Sequence, residues 1–318
     1  MREIESRSLI IAVIVLLIAV IAVPVPTHSI GMEVLHDFGH APIFGIVAVA
    51  ALLWLRDHGR FGSVAVQYAL AFGLSVALGA LVELLQIPVG RDASWLDVRS
   101  DVLGAFGFLA SFTLVDDRTR KPAVRVSALV AGVAALAIHS RPLVQSMLAY
   151  AERNSAFPLL FDARQRYDDY FLGYFEATGE HVALPKEYAQ VEGEKALRLH
   201  LLQRWSPRLT LMEPVPDWRE QSALALDLTN ASAQPIALKI GVRDWDYDEA
   251  RNDGFVRVVM LEPQRRVTVR IPVAEIQRGS NGGRRIDVSR IGSVVLFDEY
   301  TKREQVVYVS RIWMEGRE

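Results

Sequence analysis

The chain has 318 residues, 51% of them hydrophobic, and 35 Lys and Arg against 37 Asp and Glu, for a formal charge of -2. That near-neutral balance, with no long basic run interleaved with aromatics, excludes nucleic acid as a partner. The lack of cysteine excludes disulfides, thiolate metal sites and acylation at a lipobox.

The length suggests about two domains, and the apolar residues are unevenly spread. Up to about Ser140 they come in blocks, and beyond it they are interleaved with Asp, Glu and Arg, which divides the chain into a membrane part and a soluble part. Ser8 to Val25, after Arg2 and Arg7, is close to the ~20 apolar residues that cross a bilayer core. A secretory signal peptide has a similar look. The length of this run and the Val-Pro-Val-Pro that closes it favour a retained span. Further spans are expected at Gly39 to Leu55, Val64 to Leu85, Val102 to Val115 and Val126 to Ile138. Arg56 and Arg60 join the second to the third, and Arg118, Arg120, Lys121 and Arg125 join the fourth to the fifth. The positive-inside rule makes these loops and the amino terminus cytoplasmic. Thr27 to Phe38, Ile87 to Asp101 and everything after Ile138 then lie outside, which places the protein in the inner (plasma) membrane as a multi-pass chain with its carboxyl-terminal domain extracytoplasmic.

The two outer loops carry most of the unusual polar residues: Asp37, His40, Glu83, Gln86, Arg91, Asp97 and Asp101. Ionisable groups at membrane depth are costly and mark candidate functional sites. Asp37 and His40 are three apart, as are Glu83 and Gln86, so each pair shares a helical face. Trp95 suits an interfacial anchor. Three readings of the cluster stay open. Arg91 pairs with Glu83 or Asp97 and locks helix ends. Alternatively, Arg91 grips a lipid phosphate while Glu83 or Asp37 acts as a base. In the third reading, Asp37, His40 and Glu83 hold a divalent cation, the only cofactor the sequence points to.

The spacing Asp37-x-x-His40, Glu83-x-x-Gln86, Arg91, Asp97 and Asp101-Val102-Leu103-Gly104 resembles the VanZ-like membrane proteins over about the first 120 residues. Asp101 stands where that pattern more often has Asn, and Phe38 where it commonly has Lys. The resemblance implies a polytopic envelope protein and supplies no reaction.

Residues 141–170, with Tyr150, Phe157, Pro158, Phe161 and Tyr167 among charges, read as an interfacial linker between a domain at 1–140 and another at 171–318. After Tyr170 the periodicity becomes two, at Leu197 to Leu201, Leu209 to Leu211, Leu224 to Leu228, Ile236 to Val242 and Val267 to Ile271. Val294 to Phe297 and Val306 to Trp313 follow. Such alternation predicts strands with one buried face. The expected fold class is therefore a membrane all-α amino-terminal bundle of about five transmembrane helices plus an extracytoplasmic all-β sandwich. The strand order resembles the galactose-binding-like jelly rolls of carbohydrate-binding modules.

Within the sandwich, Asp244, Trp245, Asp246 and Tyr247 offer aromatic faces beside carboxylates, a pairing that suits a sugar. The alternation Asp244-x-Asp246-x-Asp248 also suggests a calcium loop, but Glu249 and Phe255 exclude an EF-hand. Trp205 and Trp218 read as core or rim residues, and His181 and His200 as surface or packing residues. No nucleophile elbow and no phosphate-cradling Gly-rich loop occurs in this half. The reading is an envelope protein that recognises a lipid-linked precursor or polysaccharide through the outer-face cluster and the sandwich, with membrane lipids as its surroundings. An intramembrane enzyme acting on such a precursor, and a scaffold that binds a partner protein, remain as alternatives.

Overall fold

The computed structural model describes residues 29–58, 62–89, 94–164, 168–280, 284–299 and 303–316. The expected span Ser8 to Val25 lies outside them. The chain divides into two compact units, Met1–Met147 and Leu148–Glu318.

The first unit holds α1 (Ile30–His58), α2 (Val64–Gln86), a 3-10 turn at Ile87–Val89, α3 (Trp95–Phe112) and most of α4 (Pro122–Ala156). Three of these, α1, α2 and α4, are long and apolar enough to cross a membrane. Their outward residues include Leu70, Leu74, Leu81, Val130, Val133 and Ile138, all exposed. Unpartnered apolar surface of this extent is not a feature of water-facing helices.

Three helix boundaries differ from expectation, the first at α1, which begins at Ile30 instead of Gly39. α3 begins at Trp95 instead of Val102, because the Ser94 hydroxyl caps it by accepting from the Asp97 amide at 3.3 Å. Asp97 and Asp101 are thereby drawn into a helix, four residues apart on one face. α4 continues through Pro142 to Ala156, well beyond the Val126 to Ile138 span and into the segment expected as a linker.

Small residues set the helix separations. A Cβ at Gly104 would overlap the backbone of Ala41, and one at Gly45 would overlap the Phe108 ring. Around these contacts Ala48, Leu52, Leu55, Ala71, Ala105 and Leu109 form a buried core. Past the far end of α3, the fully buried Asp116 carboxylate accepts from Arg118 Nε at 3.0 Å, Arg118 Nη2 at 2.9 Å and Tyr68 at 3.1 Å. The Arg118 guanidinium holds the Asp116 carboxyl down at about 2. Two of the arginines read as topology signals thus have structural work, since Arg125 also donates to the Asp116 carbonyl at 3.0 Å.

The second unit is an antiparallel sandwich. One sheet runs β3 (Ala177–Ala183), β4 (Lys195–Leu201), β11 (Gln305–Gly316), β6 (Gln221–Asn230), β9 (Arg265–Pro272), with β1 (Leu159–Asp162) also paired to β11. The other runs β2 (Leu172–Phe175), β5 (Arg208–Met212), β10 (Ile291–Phe297), β7 (Ile236–Asp244), β8 (Phe255–Leu261). A short helix, α5 (Val273–Arg278), follows β9. Within the segment expected as a linker, the described residues hold the end of α4 and strand β1.

Alternation places Leu197, Leu199, Leu201, Leu224, Leu226 and Leu228 of one sheet, and Leu209, Leu211, Leu238, Ile240 and Val242 of the other, in the buried core. Each such side chain contributes roughly 1.5–3 kcal/mol by leaving water. Trp218 is fully buried and its indole N–H donates to the Val215 carbonyl at 2.7 Å, while Trp205 is exposed. On the outer side of the first sheet, buried Asp227 accepts from Thr268 at 2.6 Å and Arg266 at 2.9 Å, and Arg266 reaches on to Glu194 at 2.8 Å.

Burial pushes the Asp227 carboxyl up, but the Thr268 and Arg266 donors more than offset it and hold it below the usual carboxylate range. Burial and Arg266 act in the same opposed way on Glu194, as do burial and Arg164 on Asp162, both again with a net lowering. A depressed folded pKa contributes stability above the unfolded value of about 4, and that stability is lost as pH falls through the folded value. Urea denaturation of residues 148–318 should accordingly show a midpoint that is flat from about pH 5 to 8 and drops below about pH 4. Asp227→Asn should flatten that drop, and an unchanged acid limb in the variant would assign it elsewhere.

Candidate functional site

Five of the seven membrane-cluster residues are buried in the first unit: His40, Glu83, Gln86, Asp97 and Asp101. The close approach of Gly104 to Ala41 brings α3 onto α1, one turn from Asp101 and one residue from His40. Gly79 on α2 has no Cβ, which leaves room for the Asp101 carboxylate. His40 Nδ1 lies 3.1 Å from Asp101 Oδ1. Glu83 Oε2 accepts from the Ser94 amide at 2.8 Å, so a carboxylate of α2 sits at the amino-terminal end of α3, where a helix favours negative charge. One ligating atom each from His40, Glu83 and Asp97 lie within 4.8 Å of one another. His40 Nε2, Glu83 Oε1, Gln86 Nε2 and Asp101 Oδ2 are buried with no hydrogen-bond partner among the described residues.

The expected trio of Asp37, His40 and Glu83 is corrected by this geometry. α1 starts at Ile30, so Asp37 belongs to its second turn and not to a loop; its side chain is half exposed and faces His36 Nδ1 at 3.6 Å. Asp97 takes its place beside His40 and Glu83. Arg91, the cation expected to neutralise these carboxylates, lies outside the described residues. Trp95 is exposed at the first turn of α3, as an interfacial anchor requires.

In the sandwich the aromatic-acidic loop is spoken for by arginines. Asp244, whose side chain is fully buried, accepts from Arg284 Nη2 at 2.6 Å and Nη1 at 2.8 Å and from the Asp287 amide at 2.7 Å. Arg251 pairs with Asp248 at 2.7 Å, and Arg290 lies 3.6 Å from Asp246. Asp244 is therefore no open acceptor for hydroxyls, whereas Asp246 is exposed. Trp245 is half-buried, against Gly292, and the Tyr247 ring lies between Gly254 and the Arg243 guanidinium, 4.2 Å from its centroid. His181 pairs with Asp169 at 2.6 Å and His200 with Glu304 at 2.5 Å, both at the surface. Asp244→Asn should lower the stability of residues 148–318 by about 1.5–3 kcal/mol, because a buried carboxylate loses its charge-assisted hydrogen bonds to Arg284, while the partly exposed guanidinium keeps Asp253 at 3.4 Å. Asp246→Ala should shift it by less than about 0.5 kcal/mol. Equal, small effects in urea denaturation would return Asp244 to a ligand-binding role.

A different surface emerges from the register of the second sheet. Phe175 pairs with Arg208, Arg208 with Phe297, Phe297 with Lys239 and Lys239 with Val258, one outward-facing row across all five strands. Rings and cations alternate along it: Arg208 lies 4.3 Å from the Phe175 centroid and Lys239 5.8 Å from that of Phe297. The neighbouring row, Gly173, Thr210, Val295, Gly241 and Val256, is made of small residues. The Phe297 ring lies over Gly241, where a Cβ would sit 3.4 Å from its Cε1, an ordinary contact. Lys239 is neutralised by Glu299 at 2.7 Å, whereas Arg208 and Arg243 have no ion pair among the described residues. Sequence alternation marks β5 and β7 but not this row, which only the register reveals.

No protein-family model matches the chain, and no curated protein matches it. The VanZ-like resemblance therefore stands on its residues alone. Among solved structures, the chain is similar to a family 11 carbohydrate-binding module from Clostridium thermocellum in complex with a β-1,3-1,4-mixed-linked tetrasaccharide. The identity is 11% and the TM-score 0.39, over 50% of this chain and 94% of that one. A family 30 carbohydrate-binding module of a Clostridium thermocellum cellulosomal cellulase matches at 17% identity and a TM-score of 0.33, over 50% of this chain and 97% of the module. An exo-β-agarase matches at 14% identity and a TM-score of 0.40 over 50% of this chain, which spans only 25% of the agarase.

Proposed function

We propose that this chain is an integral membrane protein of the cell envelope that recognises a lipid-linked or polysaccharide envelope component. In this reading the amino terminus is cytoplasmic, residues 1–140 cross the inner membrane with Ser8 to Val25 as the first of five spans, and the sandwich is extracytoplasmic. The His40, Glu83, Asp97 and Asp101 cluster then lies toward the outer face. Arginine placement and the VanZ-like spacing support that orientation.

The observation that carries the reading is the cross-strand row Phe175, Arg208, Phe297, Lys239 on the five-stranded sheet. Ring faces stack on the CH faces of sugars, and guanidinium groups pair with carboxylate or phosphate. With Arg208 and Arg243 unneutralised among the described residues, the surface suits an anionic glycan. Screening residues 148–318 against envelope polysaccharides tests it; a start at 148 keeps β1 on β11, which a start at 171 removes. Binding concentrated on acidic glycans supports the reading. Binding to neutral glycans alone, or to none, counts against it, and capture of a partner chain in its place favours the scaffold. The enzyme alternative draws on one observation, the His40 and Asp101 pair beside the half-occupied Glu83 carboxylate. It predicts turnover of a polyprenyl-linked sugar by the full chain.

A further inference from the structure

Three buried carboxylates, Glu83, Asp97 and Asp101, surround one histidine in the first unit. Burying several carboxylates together is costly unless a cation offsets them. Neither Glu83 nor Asp101 pairs with a Lys or Arg among the described residues. The hydrogen bonds already made leave a defined set of empty positions. His40 Nδ1 faces Asp101 Oδ1, so a neutral imidazole that donates there carries its lone pair on Nε2, the nitrogen with no partner among the described residues. Glu83 uses Oε2 on the Ser94 amide and leaves Oε1 without a donor. His40 is 1% exposed and Glu83 3% exposed, so water does not satisfy these atoms from outside.

We propose that His40, Glu83 and Asp97 bind a divalent transition-metal cation, with Asp101 as the residue that orients His40. A carboxylate that holds a histidine through one ring nitrogen while the other coordinates a metal is a recurrent arrangement, because it fixes the tautomer and raises the basicity of the ligand. One imidazole nitrogen and two carboxylate oxygens suit Zn2+ or Mn2+ better than Mg2+ or Ca2+, which take oxygen ligands. Three protein ligands leave at least one coordination position open, as in sites where the metal meets an exchangeable oxygen ligand. The site does not depend on what the sandwich binds.

The test is metal content of the purified full chain in detergent, stripped with EDTA and then dialysed against Zn2+ or Mn2+. The expected result is about one tightly held ion per chain in the wild type. Glu83→Gln and Asp97→Asn should each lose most of it, while Asp37→Asn keeps it. In a competition titration with a chromogenic chelator, Asp101→Asn should weaken binding by about 10- to 100-fold without abolishing it. X-ray absorption of the loaded wild type should show a first shell of nitrogen and oxygen that includes an imidazole. A wild-type chain that elutes as a single folded species and takes up no ion overturns the proposal, as does full occupancy in both Glu83→Gln and Asp97→Asn. If one of those variants aggregates, the other and the wild-type titration still decide.

Discussion

Gly104→Ala is expected to destabilise the helical unit by about 3 kcal/mol, the upper end of what overpacking costs. The added methyl meets the backbone of Ala41 and not the tip of a flexible side chain, so no rotamer change relieves the overlap. Relief requires α3 to move away from α1. Small residues allow helices within a membrane to approach closely, and their loss removes the packing that holds the pair together. Asp101 lies one turn before Gly104 and His40 immediately precedes Ala41, so the same movement separates the imidazole from its carboxylate. Gly39→Ala is the matched control: nothing lies within 4 Å of a Cβ there, and alanine is the better helix former by roughly 0.5–1 kcal/mol. Thermal aggregation of the two detergent-solubilised variants should bracket the wild type, with Gly104→Ala melting lower and Gly39→Ala equal or higher. Similar melting of both would mean that the α1 and α3 contact contributes little.

Much of this architecture is legible in the sequence, and the departures have physical causes. Period-two alternation marks β4, β6, β7 and β9 because each presents one face to the core. β8 escapes because Val256, Val258 and Met260 are apolar on its outward side, and Val258 and Met260 are exposed there. That strand reads as an unpatterned apolar run. α4 runs past the expected end at Ile138 because the helix carries Arg141 and Pro142 within it. In the first unit, ionisable side chains in apolar surroundings mark five residues that the structure buries: His40, Glu83, Gln86, Asp97 and Asp101. Asp97 and not Asp37 lies beside His40 and Glu83, because the Ser94 cap starts α3 early enough to turn Asp97 inward. The row from Phe175 to Val258 was beyond reach, since its members come from five strands distant in sequence and share only a register.

The second large effect concerns that row. Arg208→Gln should weaken binding of an acidic polysaccharide by about tenfold or more, the loss of one charge-assisted contact of about 1.5–3 kcal/mol. Phe175→Leu keeps the apolar bulk and removes the ring that Arg208 covers, so it should cost a smaller factor, near the ~0.5–1 kcal/mol of an exposed cation-π pair. Because both groups sit at the surface, the interaction should fall with added salt, over a Debye length of about 8–10 Å at physiological ionic strength. Folding should be little changed in either variant, since Phe175 is half exposed and Arg208 makes no buried ion pair among the described residues.

The most direct measurement is a paired titration of residues 148–318 with a uronic-acid polysaccharide and with the same polymer after its carboxyl groups have been reduced to alcohols. Strong, salt-sensitive binding to the acidic form, lost on reduction and weakened by Arg208→Gln, is the result this account predicts. Equal affinity for the two forms, or binding indifferent to Arg208→Gln, would contradict it.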